Sequence, residues 1–205
     1  MNKILVDTCV WLDLAKDHEQ HLLLNVLEEL IQRKELSLLV PVILIDEFQR
    51  NKIRVVQDIG KSLSGNFKRV KDAVSHHGDP KKKQVVLDQL NDIDYKIPFL
   101  GESAEAIVSR IEKLLTTAEI IEISNDVKLR AADRAIEKKA PFHRSKNSMN
   151  DAILIETYWD CVQNKNSVGN RFLFVTHNTK DFSNSEGNDK APHGDFVDYF
   201  SKRKI

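Results

Sequence analysis

Apolar residues along this chain alternate between two rhythms: short unbroken runs, and longer stretches in which they recur every three or four positions. Unbroken runs bounded by polar residues predict buried strands, here at Lys3–Val6, Ser37–Val40 and Arg171–Thr176. Between them, Thr8 can cap a short helix through Val10, Trp11 and Leu14. A second helix is predicted from about Glu19 to Arg33, with Leu22, Leu23, Val26, Leu27 and Leu30 on its apolar face. Pro41 then starts a helix through Ile43, Glu47 and Arg50, since proline suits a first helical turn. Strands alternating with helices imply an α/β fold around a parallel sheet.

Residues 53–98 break this alternation, being long, polar and poor in strand signals. The turn His77-Gly78-Asp79-Pro80 divides them, so the stretch predicts a helical hairpin inserted into a single domain that spans 1–205. A helix at about 103–116 follows, then an apolar patch at Ile120–Ile123 that fits either a short strand or an extended connection. Ser124 or Asn125 can cap a helix through Val127 and Ala135, and another helix begins near Ser148. Phe196–Phe200 fits an edge strand or a short terminal helix.

Composition narrows the class. Of 205 residues, 41% are hydrophobic and 30% charged, as in a soluble globular protein, and the amino terminus fits neither a signal peptide nor a membrane span. A cytoplasmic protein is expected, with Cys9 and Cys161 as free thiols. Thirty-one basic residues balance thirty-one acidic ones, but unevenly. Residues 50–83 hold ten basic side chains (Arg50, Lys52, Arg54, Lys61, Lys68, Arg69, Lys71, Lys81, Lys82, Lys83) against Asp58, Asp72 and Asp79. Residues 126–146 repeat the bias with seven against three. Either stretch alone suits a solvated face; two of them flanking acidic positions favour a polyanionic partner.

Those acidic positions stand at the ends of the apolar runs: Asp7 after the first, Asp46 and Glu47 after the second, Asp151 at the start of a late helix, and Asp181 after the last. Ligands in open parallel sheets gather at the carboxyl ends of the strands. Two carboxylates at about 4 Å repel by roughly 4 kcal/mol at an effective dielectric near 20. A divalent ion reverses that sign, and hard oxygen ligands suit Mg²⁺ or Mn²⁺, ions widely used to cleave phosphodiesters. Each position also has a plain structural use. Asp7 can cap a helix, Asp46 and Glu47 can favour a helix dipole, and Ser148-Met149-Asn150-Asp151 matches a capping box. Asn178 and Asp181 suit a turn, while Thr176 can offer its hydroxyl to a phosphate or water.

Taken in order, Ile4-Leu5-Val6-Asp7-Thr8, Val40-Pro41 leading to Glu47, Asn150-Asp151-Ala152-Ile153-Leu154-Ile155, and Phe174-Val175-Thr176 leading to Asp181-Phe182 resemble the PIN-domain family of metal-dependent nucleases. The resemblance implies a three-layer α/β/α sandwich with a central parallel sheet, Mg²⁺ or Mn²⁺ as cofactor, and hydrolysis of single-stranded or structured RNA. It carries Asp7, Glu47 and Asp151 over as catalytic and metal-binding residues. Many members place an acid where this chain has Asn178, so Asp181 becomes the candidate fourth carboxylate. Thr8, Arg144, Lys146, Thr176 and Asn178 complete the site as candidate substrate contacts. A toxin or defence nuclease, with a homodimer or antitoxin-like protein as partner and no membrane role, is the corresponding biological expectation. Two other readings compete. A haloacid-dehalogenase-type phosphatase would need a second aspartate where Cys9 stands. A catalytically silent PIN-like module would keep the acidic site for structure and use the basic hairpin to hold RNA or protein.

Overall fold

The computed structural model describes residues 1–16, 21–144, 148–164, 169–184 and 188–200. Within helices, the side chains of residues 21, 56, 58–64, 94 and 96–104 lie outside the description. Strands β1 (Asn2–Val6), β2 (Leu36–Pro41), β3 (Glu119–Ile121) and β4 (Arg171–Val175) form one parallel sheet in the order β3-β2-β1-β4, flanked by helices in the α/β/α manner. Asn2 to Ile4 pair with Leu36 to Leu38 on one side, and Asn2 to Val6 with Arg171 to Val175 on the other. The central strands therefore end together. The patch at Ile120 resolves as β3, and the terminal aromatic segment as a 3-10 turn (Gly194–Phe196) running into a short helix rather than an edge strand.

Helix α1 (Thr8–Lys16) follows β1 directly, and its Trp11 is buried with the indole N–H donating to the Val6 carbonyl at 3.1 Å. Helix α2 (His21–Gln32) lies where the periodicity places it but turns a different face inward. Leu24 is buried, with Leu27 and Ile31 against the core, whereas Leu22, Leu23 and Val26 point outward. Five apolar positions in two turns allow either stripe. The one at 24, 27 and 31 is the narrower, and it is the one that packs against the sheet.

Pro41 closes β2 instead of opening a helix, and α3 runs unbroken from Val42 to His77. Its partner α4 (Lys83–Thr117) is equally continuous. The boundaries expected at 53 and 98 are therefore absent: the hairpin consists of two core helices extended outward, and Pro98 lies inside α4. Leu44, Phe48 and Val55 anchor α3, and Ile107, Ile111 and Leu115 anchor α4. Each such fully buried side chain contributes about 1.5–3 kcal/mol. The turn between them requires Gly78, because a Cβ there would meet the Val74 carbonyl oxygen at 2.5 Å. Asp79 then accepts from the amide of Lys81 at 2.7 Å.

Helices α5 (Asn125–Ile136) and α6 (Met149–Asn164) pack together, and Ser124 caps the first by accepting from the Val127 amide at 3.2 Å. Helix α7 (Thr179–Phe182) follows β4, and α8 (Val197–Phe200) ends the described chain. Among the described residues no helix is long and apolar enough to cross a membrane.

Candidate active site

Three elements bring carboxylates to the carboxyl end of the sheet. Asp7 is the residue at which β1 becomes α1, Glu47 lies on the second turn of α3, and Asp151 is in the first turn of α6. They border one polar cavity of about 350 Å³, whose wall also includes Cys9 and Leu12 of α1, Asn51 and Arg54 of α3, Asn150, and Asn178.

Asp7 is 5% exposed. Its carboxylate accepts from the Thr176 hydroxyl at 2.7 Å and from the Cys9 thiol at 3.2 Å, while the Cys9 amide approaches at 3.4 Å. That last contact is a long capping bond, so one side chain both serves the helix and faces the cavity. Thr176, expected to meet substrate, instead aims its hydroxyl at Asp7, and it accepts from the Asn178 amide at 2.9 Å. Burial, and after it the Asp7 charge, push the Cys9 thiol up to about 12, so it stays protonated and serves Asp7 as a donor.

Glu47 is oriented by the Thr8 hydroxyl, which donates to it at 3.4 Å. The buried line of α3 runs through Leu44 and Phe48, which leaves Glu47 on the flank facing the cavity and Asp46 exposed to solvent. Burial raises the Glu47 carboxyl above its ordinary value and Asp7 adds to the rise; Thr8, Arg50 and Asn150 act against it.

Asn178 holds the remaining acids together. Its amide group donates to Asp181 at 2.7 Å and approaches Asp151 at 3.5 Å. Asp181 is 2% exposed and sits behind Asn178, outside the cavity wall. The capping-box alternative at the start of α6 lacks one half, because the Ser148 hydroxyl is buried with no hydrogen-bond partner among the described residues. Arg144 is exposed and does not line the cavity, and Lys146 lies outside the described residues. Sequence reasoning missed Asn51 and Arg54 as wall residues. The signal was available: they follow Glu47 by four and seven positions, one and two helical turns.

The donors facing the cavity suit a hard divalent ion, being carboxylate and amide oxygens. They border the space without closing on a point, since among the described residues no three acidic, histidine or cysteine side chains converge as a ligand group. Mg²⁺ needs no such cage, because it retains several waters and takes one or two carboxylates. The raised Glu47 carboxyl beside Asp7 is also what a like-charge cluster shows without a counterion.

The family model described as the PIN domain matches residues 4–182, from β1 through α7. No curated protein and no solved structure matches the chain.

Proposed function

The chain belongs to the PIN-domain family, whose members are generally nucleases, and from that premise we propose that it is a metal-dependent ribonuclease. The observation that carries this reading is the meeting of Asp7, Glu47 and Asp151, from three remote segments, around one polar cavity. Asp7 and Asp151 would hold Mg²⁺ or Mn²⁺, with Asp181 acting through Asn178. When bound, the ion lowers the pKa of a water and polarises the scissile phosphate.

The residues of the chain supply the rest. Glu47 takes the proton of the attacking water, a task for which a carboxyl raised toward neutrality is better matched than an ordinary one. Thr8 fixes its rotamer, while Thr176 and Cys9 fix Asp7. Arg54, at the cavity wall, is placed to take a phosphate flanking the cut.

Incubation of the protein with mixed single-stranded RNA, Mn²⁺ or Mg²⁺, and then EDTA tests the proposal. Cleavage should require the metal. Asp151→Asn should keep the fold and lose more than about 100-fold in rate, since even groups that only support a metal ligand cost 10–100-fold when removed. Asp46→Asn, on the solvent side of the same helix as Glu47, should stay within about twofold of the parent. RNA retained without cleavage at any metal concentration would favour the silent binding module instead.

A further inference from the structure

The cavity wall does not stop at Glu47. On a helix with 3.6 residues per turn, Asn51, Arg54, Lys68, Arg69 and His76 all lie within about 60° of the Glu47 direction. All but Asn51 are exposed, and Asn51 is half-buried at the cavity. Asp72 is the acid on that face among the side chains described.

Several cations elsewhere are held by carboxylates. Lys52, on another side of α3, meets Glu112 of α4; Arg110 meets Glu28 at 2.6 Å; and Arg130 meets Glu156 at 2.8 Å and Asp160 at 3.1 Å. Arg54 bonds only the amide oxygen of Asn51, at 3.0 Å, and neither Lys68 nor Arg69 has a carboxylate partner among the described residues. Over their whole lengths α3 carries seven basic residues against four acidic ones and α4 four against six, so the hairpin is net basic along α3 and weakly acidic along α4. Arg54 at the cavity wall, with Lys68 and Arg69 beyond it, thus forms a line of cations leading away from Glu47 on one face of one helix.

We propose that the Arg54–Lys68–Arg69 face of α3 is a phosphate track that carries a single-stranded RNA substrate away from the cavity. The inference rests on the ribonuclease reading for the position of the cut. From Glu47 to Arg69 the track spans about 33 Å at 1.5 Å per residue. It recognises backbone charge and no base, so it confers preference for length and for exposed single strands.

The test is fluorescence anisotropy on the whole chain in EDTA, with a short labelled oligouridylate that spans the cavity alone and a longer one that reaches Arg69. The parent should bind the longer RNA more tightly. K68Q/R69Q should lose that length advantage, weaken about tenfold at 0.1 M salt, and lower the slope of log affinity against log salt by about 1.4, or 0.7 for each phosphate no longer neutralised. K113Q/K128Q, which removes equal charge from α4 and α5, should keep the affinity and slope of the parent. Length-independent binding by the parent, or an equal loss in both double variants, would overturn the track. Length-dependent binding in a protein that never cleaves with metal would support the track and overturn the ribonuclease reading alone.

Discussion

Glu47 sits where burial and the charge of Asp7 both oppose its ionisation. A carboxyl whose pKa rises on folding stabilises the folded state below its ordinary value of 4.5, and loses that contribution as pH climbs through the raised value. At neutral pH, without metal, ionised Glu47 therefore works against folding. Glu47→Gln should melt higher than the parent at pH 7 in EDTA, with the gap closing as pH falls through the raised value toward 4.5. A thermal-melt series across that range checks it, and a variant melting below the parent at pH 7 would remove the conflict at this residue. That Asp7, Glu47 and Asp151 would meet at one cavity was legible because each lies within two helical turns of a boundary whose apolar pattern is clear. The orientations of Thr176 and Asn178 were not. Neighbours in sequence say that these residues leave a strand, whereas the Thr176 bond to Asp7 depends on how β1 and β4 pair, and the approach of Asn178 to Asp151 on where α6 packs.

At the scale of elements, α5, α6 and α8 are tied together through Glu156, which is 1% exposed on α6. Arg130 and Arg134 of α5 both pair with it, and the Tyr199 hydroxyl of α8 donates to it at 2.7 Å. Arg134 also donates to the Ala140 carbonyl at 2.9 Å and lies over the Phe196 ring, while Tyr199 stacks on Trp159 at 4.5 Å. A buried pair of this kind adds little over an apolar equivalent, but removing one partner strands the other charge. Glu156→Gln should therefore cost about 3–5 kcal/mol in urea denaturation. A loss under about 1 kcal/mol would mean that water replaces the carboxylate. The helices were visible in the sequence by period, and their contents were not. Glu156 on α6 resembles any polar residue until Arg134, 22 positions earlier, and Tyr199, 43 later, close on it. The inward face of α2 was hidden for a different reason, since Leu22, Leu23 and Leu24 offer equal hydrophobicity and only packing chooses among them.

Across the whole molecule, a cluster of carboxylates at the end of a parallel sheet should make stability depend on cations. Mn²⁺ at 100 times its dissociation constant should add about 2.7 kcal/mol to folding through preferential binding to the native state. Asp7→Asn should lose most of that gain, and calorimetry with and without metal measures both. An unchanged melting temperature across a wide titration would argue against the ion. The alternation of strands and helices was enough to indicate a parallel sheet, but the reach of α3 was not legible, because Gly60 and Ser64-Gly65 each read as a stop that the helix runs through and polar residues leave open where the core ends. That reach has a mechanical meaning. Leu44, Phe48 and Val55 fix the root of α3, Ile107 and Ile111 fix that of α4, and the 22 residues from 56 to 77 project about 33 Å as a cantilever built in at both arms. Deflection of such a beam is greatest at its free end and falls to nothing at the clamp. Glu47 lies two turns inside the clamp, on the part of the helix where such a beam deflects least.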